Sequence, residues 1–201
     1  MAVAVAGRQA ITRVDTVALE IHRATAADAA ALHEVAAATF ALACPPHTTQ
    51  ASIDEFIAAN LSETRFAGYL ADAERDLFLA TDDGIPIGYT MVVFGEPADA
   101  DVAAAITIRP TAELSKVYVR EGHHGAGVAG QLVTASIRAA ADRGAEGMWL
   151  GVNQENARAN RFYEKQGFVL VGTKKFLVGD RYEDDFVRER PLSDLFTINT
   201  I

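Results

Sequence analysis

The sequence predicts an α/β fold of mixed α+β character, one sheet of about seven strands with helices on both faces. Three patterns lead there. Residues 77–80 and 87–94 are apolar runs joined through Asp82-Asp83-Gly84, and Asp-Gly between two such runs is a hairpin signal. From Ala112 onward the order becomes strand, glycine turn, helix, strand, short helix, which crosses over the sheet. Elsewhere, apolar residues recur at the helical period within alanine-rich stretches.

Residues 1–18 have no clear period and are expected to form an extension. Leu19-Glu20-Ile21-His22-Arg23 alternates as a first strand, and Thr25 is placed to cap a helix over 28–40. Pro45-Pro46 enforces a break, because a proline ring leaves no N–H for a helix to use. A second helical region opens at Ser52, with Ile53, Phe56, Ile57 and Leu61 at helical spacing, and resumes over 66–71. After the hairpin, residues 95–111, with Gly95, Pro97 and Pro110, read as a long connection, acidic and then apolar. The fourth strand covers 112–119, and a long helix runs from the glycine turn to about Arg143. Residues 149–153 are the fifth strand and 157–165 a short helix. Residues 168–172 with 175–178, and then 185–189, make the final strands. The expected organisation is one domain over 19–192, followed by a tail over 193–201.

A chain of 201 residues buries a sizeable core within one domain. Half of it is apolar (50%), yet no uninterrupted run approaches the ~18–20 residues of a membrane span. Arg8 cuts short the apolar residues 2–6, so no secretory signal is expected, and no membrane partner either. The single cysteine, Cys44, excludes an intramolecular disulfide, and with no Cys or His cluster around it reads as a buried or idle thiol. The expectation is a soluble cytoplasmic protein. A net charge of −9, from 18 basic and 27 acidic residues, opposes nucleic-acid binding and suits a cationic substrate. The acidic runs, Glu183-Asp184-Asp185 among them, read as solvated faces.

The segment His124-Gly125-Ala126-Gly127-Val128-Ala129 is the most telling in the chain. A β-branched run leads into it and an apolar-periodic helix (Val128, Leu132, Val133, Ile137) leads out. That order brings free backbone N–H groups to a helix N-terminus, where phosphate oxygens bind, and glycine lets a ligand approach the backbone without meeting a Cβ. A P-loop fits poorly, since Gly127-Val128-Ala129 stands where Gly-Lys-Ser/Thr is required. A dinucleotide fingerprint fits poorly, since Asp142 lies in the helical pattern and Glu146 in the turn after it, not at the end of a second strand. The turn reads as an anion site suited to a pyrophosphate.

The pattern that does fit is Arg/Gln-x-x-Gly-x-Gly/Ala, with His124 first, Gly127 fourth and Ala129 sixth. Downstream come Trp149-Leu150-Gly151-Val152, Asn156, and Phe162-Tyr163-Glu164-Lys165-Gln166-Gly167-Phe168. On these residues the chain, from about Leu19 to Leu192, resembles the GCN5-related N-acetyltransferases (GNAT). Trp149-Leu150-Gly151-Val152, Phe176-Leu177-Val178-Gly179-Asp180 and Asp184-Asp185-Phe186-Val187 make it most similar to the bacterial spermidine/spermine acetyltransferases of the Pai type.

The resemblance implies a mostly antiparallel sheet splayed between its fourth and fifth strands, with acetyl-CoA as co-substrate and no metal. The backbone of Val117, Tyr118 and Val119 would hold the pantetheine arm, and the N–H groups of Gly125, Ala126, Gly127, Val128 and Ala129 the pyrophosphate. His124 departs from the usual Arg or Gln, and as a neutral ring it donates one hydrogen bond without a charge. Asn156 would contact the pantetheine amides, its alternative being to cap the short helix. Lys165 would reach an adenosine phosphate, or else sit on a solvated helix face. Tyr163 is the candidate general acid for the departing thiolate, and Glu113 the candidate base for the amine. Polyamine enzymes of this type often carry a second Glu where this chain has Ser115. The acceptor would be a small-molecule or peptide amine, in a pocket expected from 52–72 and 95–111. The alternatives are acetylation of a protein N-terminus or lysine, or a catalytically weak acyl-CoA-binding regulatory domain. Family members often form homodimers.

Overall fold

A computed structural model describes residues 19–178 and 181–193. The expected extension over 1–18, the tail beyond Ser193 and the Gly179-Asp180 pair lie outside the described residues. Seven strands form one sheet: β1 Leu19–Arg23, β2 Arg75–Asp82, β3 Ile85–Phe94, β4 Thr111–Val119, β5 Gly147–Asn153, β6 Val169–Val178 and β7 Arg181–Pro191. Their order is β1-β2-β3-β4-β5-β7-β6, antiparallel throughout except for β4 beside β5. The expected hairpin closes at Asp82 opposite Ile85.

One face carries α1 Ala29–Thr39, α2 Gln50–Asn60 and α3 Glu63–Ala71. The Asp28 carboxylate accepts both the Thr25 N–H (2.7 Å) and the Thr25 hydroxyl (2.9 Å), fixing the entry to α1 through one 3-10 turn. The helical stretch Ala26–Ala43 is long and apolar enough to cross a membrane, with mean hydropathy 1.2. Its apolar side goes elsewhere: Leu32, Val35, Ala36 and Phe40 bury with Leu77, Leu79, Tyr89 and Met91 of β2 and β3. Each such large side chain contributes about 1.5–3 kcal/mol by leaving water. The second and third helices start earlier than apolar spacing alone predicts. Thr49 accepts the Ser52 N–H (3.2 Å) and Ser62 the Arg65 N–H (3.4 Å), so the caps set these boundaries.

The connection 95–111 holds a helix, α4 Ala100–Ala105, whose N-terminus is capped by Asp99. Val102 and Ile106 bury against Trp149 and Val187, and the buried Glu189 carboxylate accepts the N–H groups of Thr107 and Ile108 (2.9 Å each). These contacts tie the connection to the sheet. On the opposite face lies α5 Val128–Asp142, whose Val133, Ile137 and Ala140 pack with Leu114, Met148 and Leu150. The last helix is α6 Ala157–Lys165. β6, expected in two pieces, runs unbroken through a register shift between Leu170 and Gly172.

Two irregularities of β4 create the site. Lys116 pairs with Met91 and Leu114 with Val92, leaving Ser115 as a bulge with no partner opposite. The extra residue moves the alternation by one place, so Leu114, Val117 and Val119 pack toward α5 while Tyr118 packs toward α1. Pairing of β4 with β5 ends at Glu113 opposite Trp149, and beyond it the two strands diverge.

Candidate active site

The gap between the diverging strands opens into two cavities that share Ala43, Val117, Tyr118, Asn156, Ala159 and Tyr163. The first, of about 450 Å³, reaches the glycine turn and includes Val119, His124, Gly125, Gly127, Val128 and Ala129 in its wall. The second, of about 370 Å³, extends under α2 and α3 to β6 and β7, past Glu113, Lys116, Lys174, Glu183 and Asp185. A ligand threaded along β4 would meet one in the other at Tyr163.

The first cavity has the features of an anion cradle. Gly125 (φ +87°) and Gly127 (φ +81°) are left-handed, and a Cβ built on either meets nothing within 4 Å. Conformation demands the glycines, and the space above them is open. Gly127 is also the N-cap of the 15-residue α5, so unpaired N–H groups and the helix dipole face that space. His124 does not point out as a free donor. Its Nε2 lies 2.7 Å from the Val119 carbonyl and its Nδ1 3.0 Å from Nη1 of Arg158. With Arg158 donating to Nδ1, the ring takes the Nε2–H tautomer and donates to the Val119 carbonyl. The cation beside the turn is therefore Arg158, a residue sequence reading missed because it comes from α6, 34 positions away.

Asn156 caps α6, its Oδ1 accepting the Ala159 N–H at 3.0 Å, which leaves its amide N–H₂ as the group available to both cavities. Lys165 stands exposed at the far end of α6 and lines neither cavity. Ala126 is exposed at the crest of the turn. Tyr163 packs on Phe162 and Phe168, with ring centroids 5.2 and 6.0 Å away. Burial pushes its phenol above the ordinary tyrosine range, so it keeps its proton throughout the physiological range.

The second cavity is charged and aromatic. Phe40 stacks on Phe56 at 4.4 Å, and Phe56 meets Phe176 edge-on at 5.9 Å. Burial lowers Lys116 to about 8, with Glu113 opposing that shift and Arg75 adding to it. Burial raises the Asp185 carboxyl to about 6, against the pull of Lys174 and with the push of Glu183 and Asp184. Cys44 lines the wall, and burial, then Glu183, hold its thiol up at about 11, so it is no nucleophile at neutral pH.

Two expectations are corrected here. The 95–111 connection lines neither cavity, because α4 is committed to Trp149 and Val187. The run Glu183-Asp184-Asp185 is only partly a solvated face: Asp184 is exposed, but Asp185 is buried at 7% exposure. Period-two alternation held the signal, since Asp185 shares a strand face with the buried Val187 and Glu189.

Residues 36–168 match the acetyltransferase (GNAT) family. The chain belongs to that family. This acetyltransferase is 46% identical over 165 residues to an uncharacterised N-acetyltransferase of Mycobacterium tuberculosis, across 82% of this chain and 98% of that one. Its fold is similar to that of the PaiA N-acetyltransferase of Thermoplasma acidophilum, solved in complex with coenzyme A. The TM-score is 0.69 at 18% identity, over 87% of this chain and 99% of that one. YncA of Salmonella typhimurium, solved with its cofactor acetyl-CoA, is similar at TM-score 0.59 and 21% identity, over 87% and 94% of the two chains.

Proposed function

We propose that this acetyltransferase moves the acetyl group of acetyl-CoA to the primary amine of a small cationic molecule, with spermidine and spermine the first acceptors to try. The observation that carries the reading is the pair of cavities joined at Tyr163, one ending in an anion cradle and the other in carboxylates and aromatic rings. The first fits acetyl-CoA: left-handed glycines with open space, the N-terminus of α5, and Arg158. The unpaired edge of β4 beyond Glu113 supplies N–H and C=O groups in the spacing an extended pantetheine amide chain pairs with. Bound there, acetyl-CoA supplies an activated thioester.

The residues do the rest. Tyr163, kept protonated by its surroundings, donates to the departing sulfur. Glu113, Glu183 and Asp185 attract an ammonium, and Phe40, Phe56 and Phe176 cover its alkyl stem. An amine with a lysine-like pKa near ~10.4 arrives protonated and must lose a proton before attack, which the carboxylates of this cavity are placed to accept.

The test is an initial-rate panel with acetyl-CoA, free thiol release being followed with spermidine, spermine, monoamines, an aminoglycoside and N-terminal peptides. Polyamines should give the highest kcat/KM. Turnover of peptides with none of any polyamine would replace the acceptor while keeping the acetyl transfer.

A further inference from the structure

We infer that Asp185 of β7 is the group that takes the proton from the acceptor amine. The inference rests on the acetyl-transfer reading and names a residue of that same site. Four carboxylates stand in or beside the acceptor cavity, and they differ in burial and in partners. Glu183 lies 2.9 Å from Nε2 of His47. Asp184 lies 2.5 Å from Nζ of Lys175, on the exposed side of the strand. Glu113 is only half-buried, and its interaction with Lys116, three residues along β4, is electrostatic, as is that of Asp185 with Lys174. Asp185 has no hydrogen bond and no ion pair within 4 Å among the described residues, yet it is only 7% exposed.

A buried carboxylate left without a donor is costly, and a cavity that admits an ammonium gives it the missing partner. Its surroundings keep it available. Opposite Asp185 on β5 is Asn153, opposite it on β6 is Lys174, and Glu183 and Asp184 flank it on its own strand. From β4, the Tyr118 phenol faces it across the gap and is itself held up by burial and then by Tyr163. Gly151 of β5 makes the room: a Cβ there would lie 3.4 Å from Asp185 Oδ2 and 3.4 Å from Cδ of Lys174. The Lys174 ammonium, which forms no ion pair with Asp185, lies 5.7 Å from the ring centroid of Trp149 and 5.8 Å from that of Phe176.

The step balances. One ammonium proton passes to an Asp185 oxygen, and the nitrogen lone pair forms the bond to the acetyl carbon. The carbon–sulfur bond breaks with its electrons on sulfur, which receives a proton from Tyr163. The second nitrogen proton restores the phenol through the cavity, and Asp185 releases its own to solvent. The sum is ammonium plus thioester giving amide, thiol and one proton.

The test is the pH profile of kcat/KM for spermidine in the parent, Asp185→Asn and Glu113→Gln. The parent should rise through about pH 6 and then level, because Asp185 accepts a proton only when ionised. Asp185→Asn should lose about 10²–10⁴-fold at pH 7 and recover about tenfold per pH unit up to 9, as only the neutral amine then reacts. Its acetyl-CoA affinity should stay within about threefold. Glu113→Gln should lower the plateau by weakening capture of the ammonium, yet keep the parent's rise through about pH 6.

A thermal measurement separates this role from a structural one without any turnover. A carboxyl whose folded pKa is raised contributes stability below its unfolded value and loses it as pH rises through the folded one. Asp185→Asn should therefore melt a few degrees above the parent at pH 7, with no gain below pH 4. Activity within threefold of the parent, or a lower Tm at both pH values, overturns the assignment. Failure of the parent to acetylate any amine would instead overturn the reading on which it rests.

Discussion

Tyr163 shows how position and surroundings together define a chemical role. A lone tyrosine on a short amphipathic helix is core more often than site, and its ring does pack on Phe162 and Phe168. The residue nevertheless lines both cavities, and its hydroxyl donates to no partner among the described residues. Tyr163→Phe keeps the ring and removes only that donor. The expected result is a fall in kcat of about 10²–10⁴-fold with acetyl-CoA affinity held within about threefold, read from single-turnover rates and calorimetry. A fall below about threefold would leave Tyr163 a packing residue. His124 carries the complementary lesson. Sequence reading took it as the donor at the head of the glycine turn, and the fold gives its two nitrogens to Val119 and Arg158 instead.

Among elements, the turn from β4 into α5 was the most legible, because its chemistry is local. Two left-handed glycines, a β-branched run before and an apolar period after are all contained within one stretch of chain. Gly127→Glu should weaken acetyl-CoA binding by about 30-fold or more, since like charges a few Å apart near a surface repel by on the order of 2 kcal/mol or more. Calorimetry on the variant, with its fold checked by circular dichroism, reads this, and unchanged affinity would move the pyrophosphate elsewhere. What the sequence hid depends on partners far along the chain. α4 forms because Val102 and Ile106 find Trp149 and Val187, 43 to 85 residues on, so residues 95–111 alone look like a connection. The bulge at Ser115 exists only in register with Met91 and Val92, and no period within β4 announces it. Asp185 was readable as inward-facing by its parity with Val187, but an adjacent run of three acids resembles a solvated face.

At the scale of the whole molecule, a single topological event organises the function. One parallel pairing, β4 with β5, begins at Thr111 opposite Gly147 and ends at Glu113 opposite Trp149. On one side of the resulting gap, α5 and α6 present the glycine turn and Arg158; on the other, α2, α3, β6 and β7 enclose the charged cavity. Two ligands entering one gap must meet, and joining them covalently should convert two binding events into one with high effective concentration. Calorimetric titration with a bisubstrate compound, spermidine linked through an acetyl bridge to the sulfur of coenzyme A, measures this directly. The predicted result is affinity about 10²-fold or more above that of coenzyme A alone. Affinity no greater than that of coenzyme A would contradict a shared gap, because the amine would then have no site within reach of the thioester.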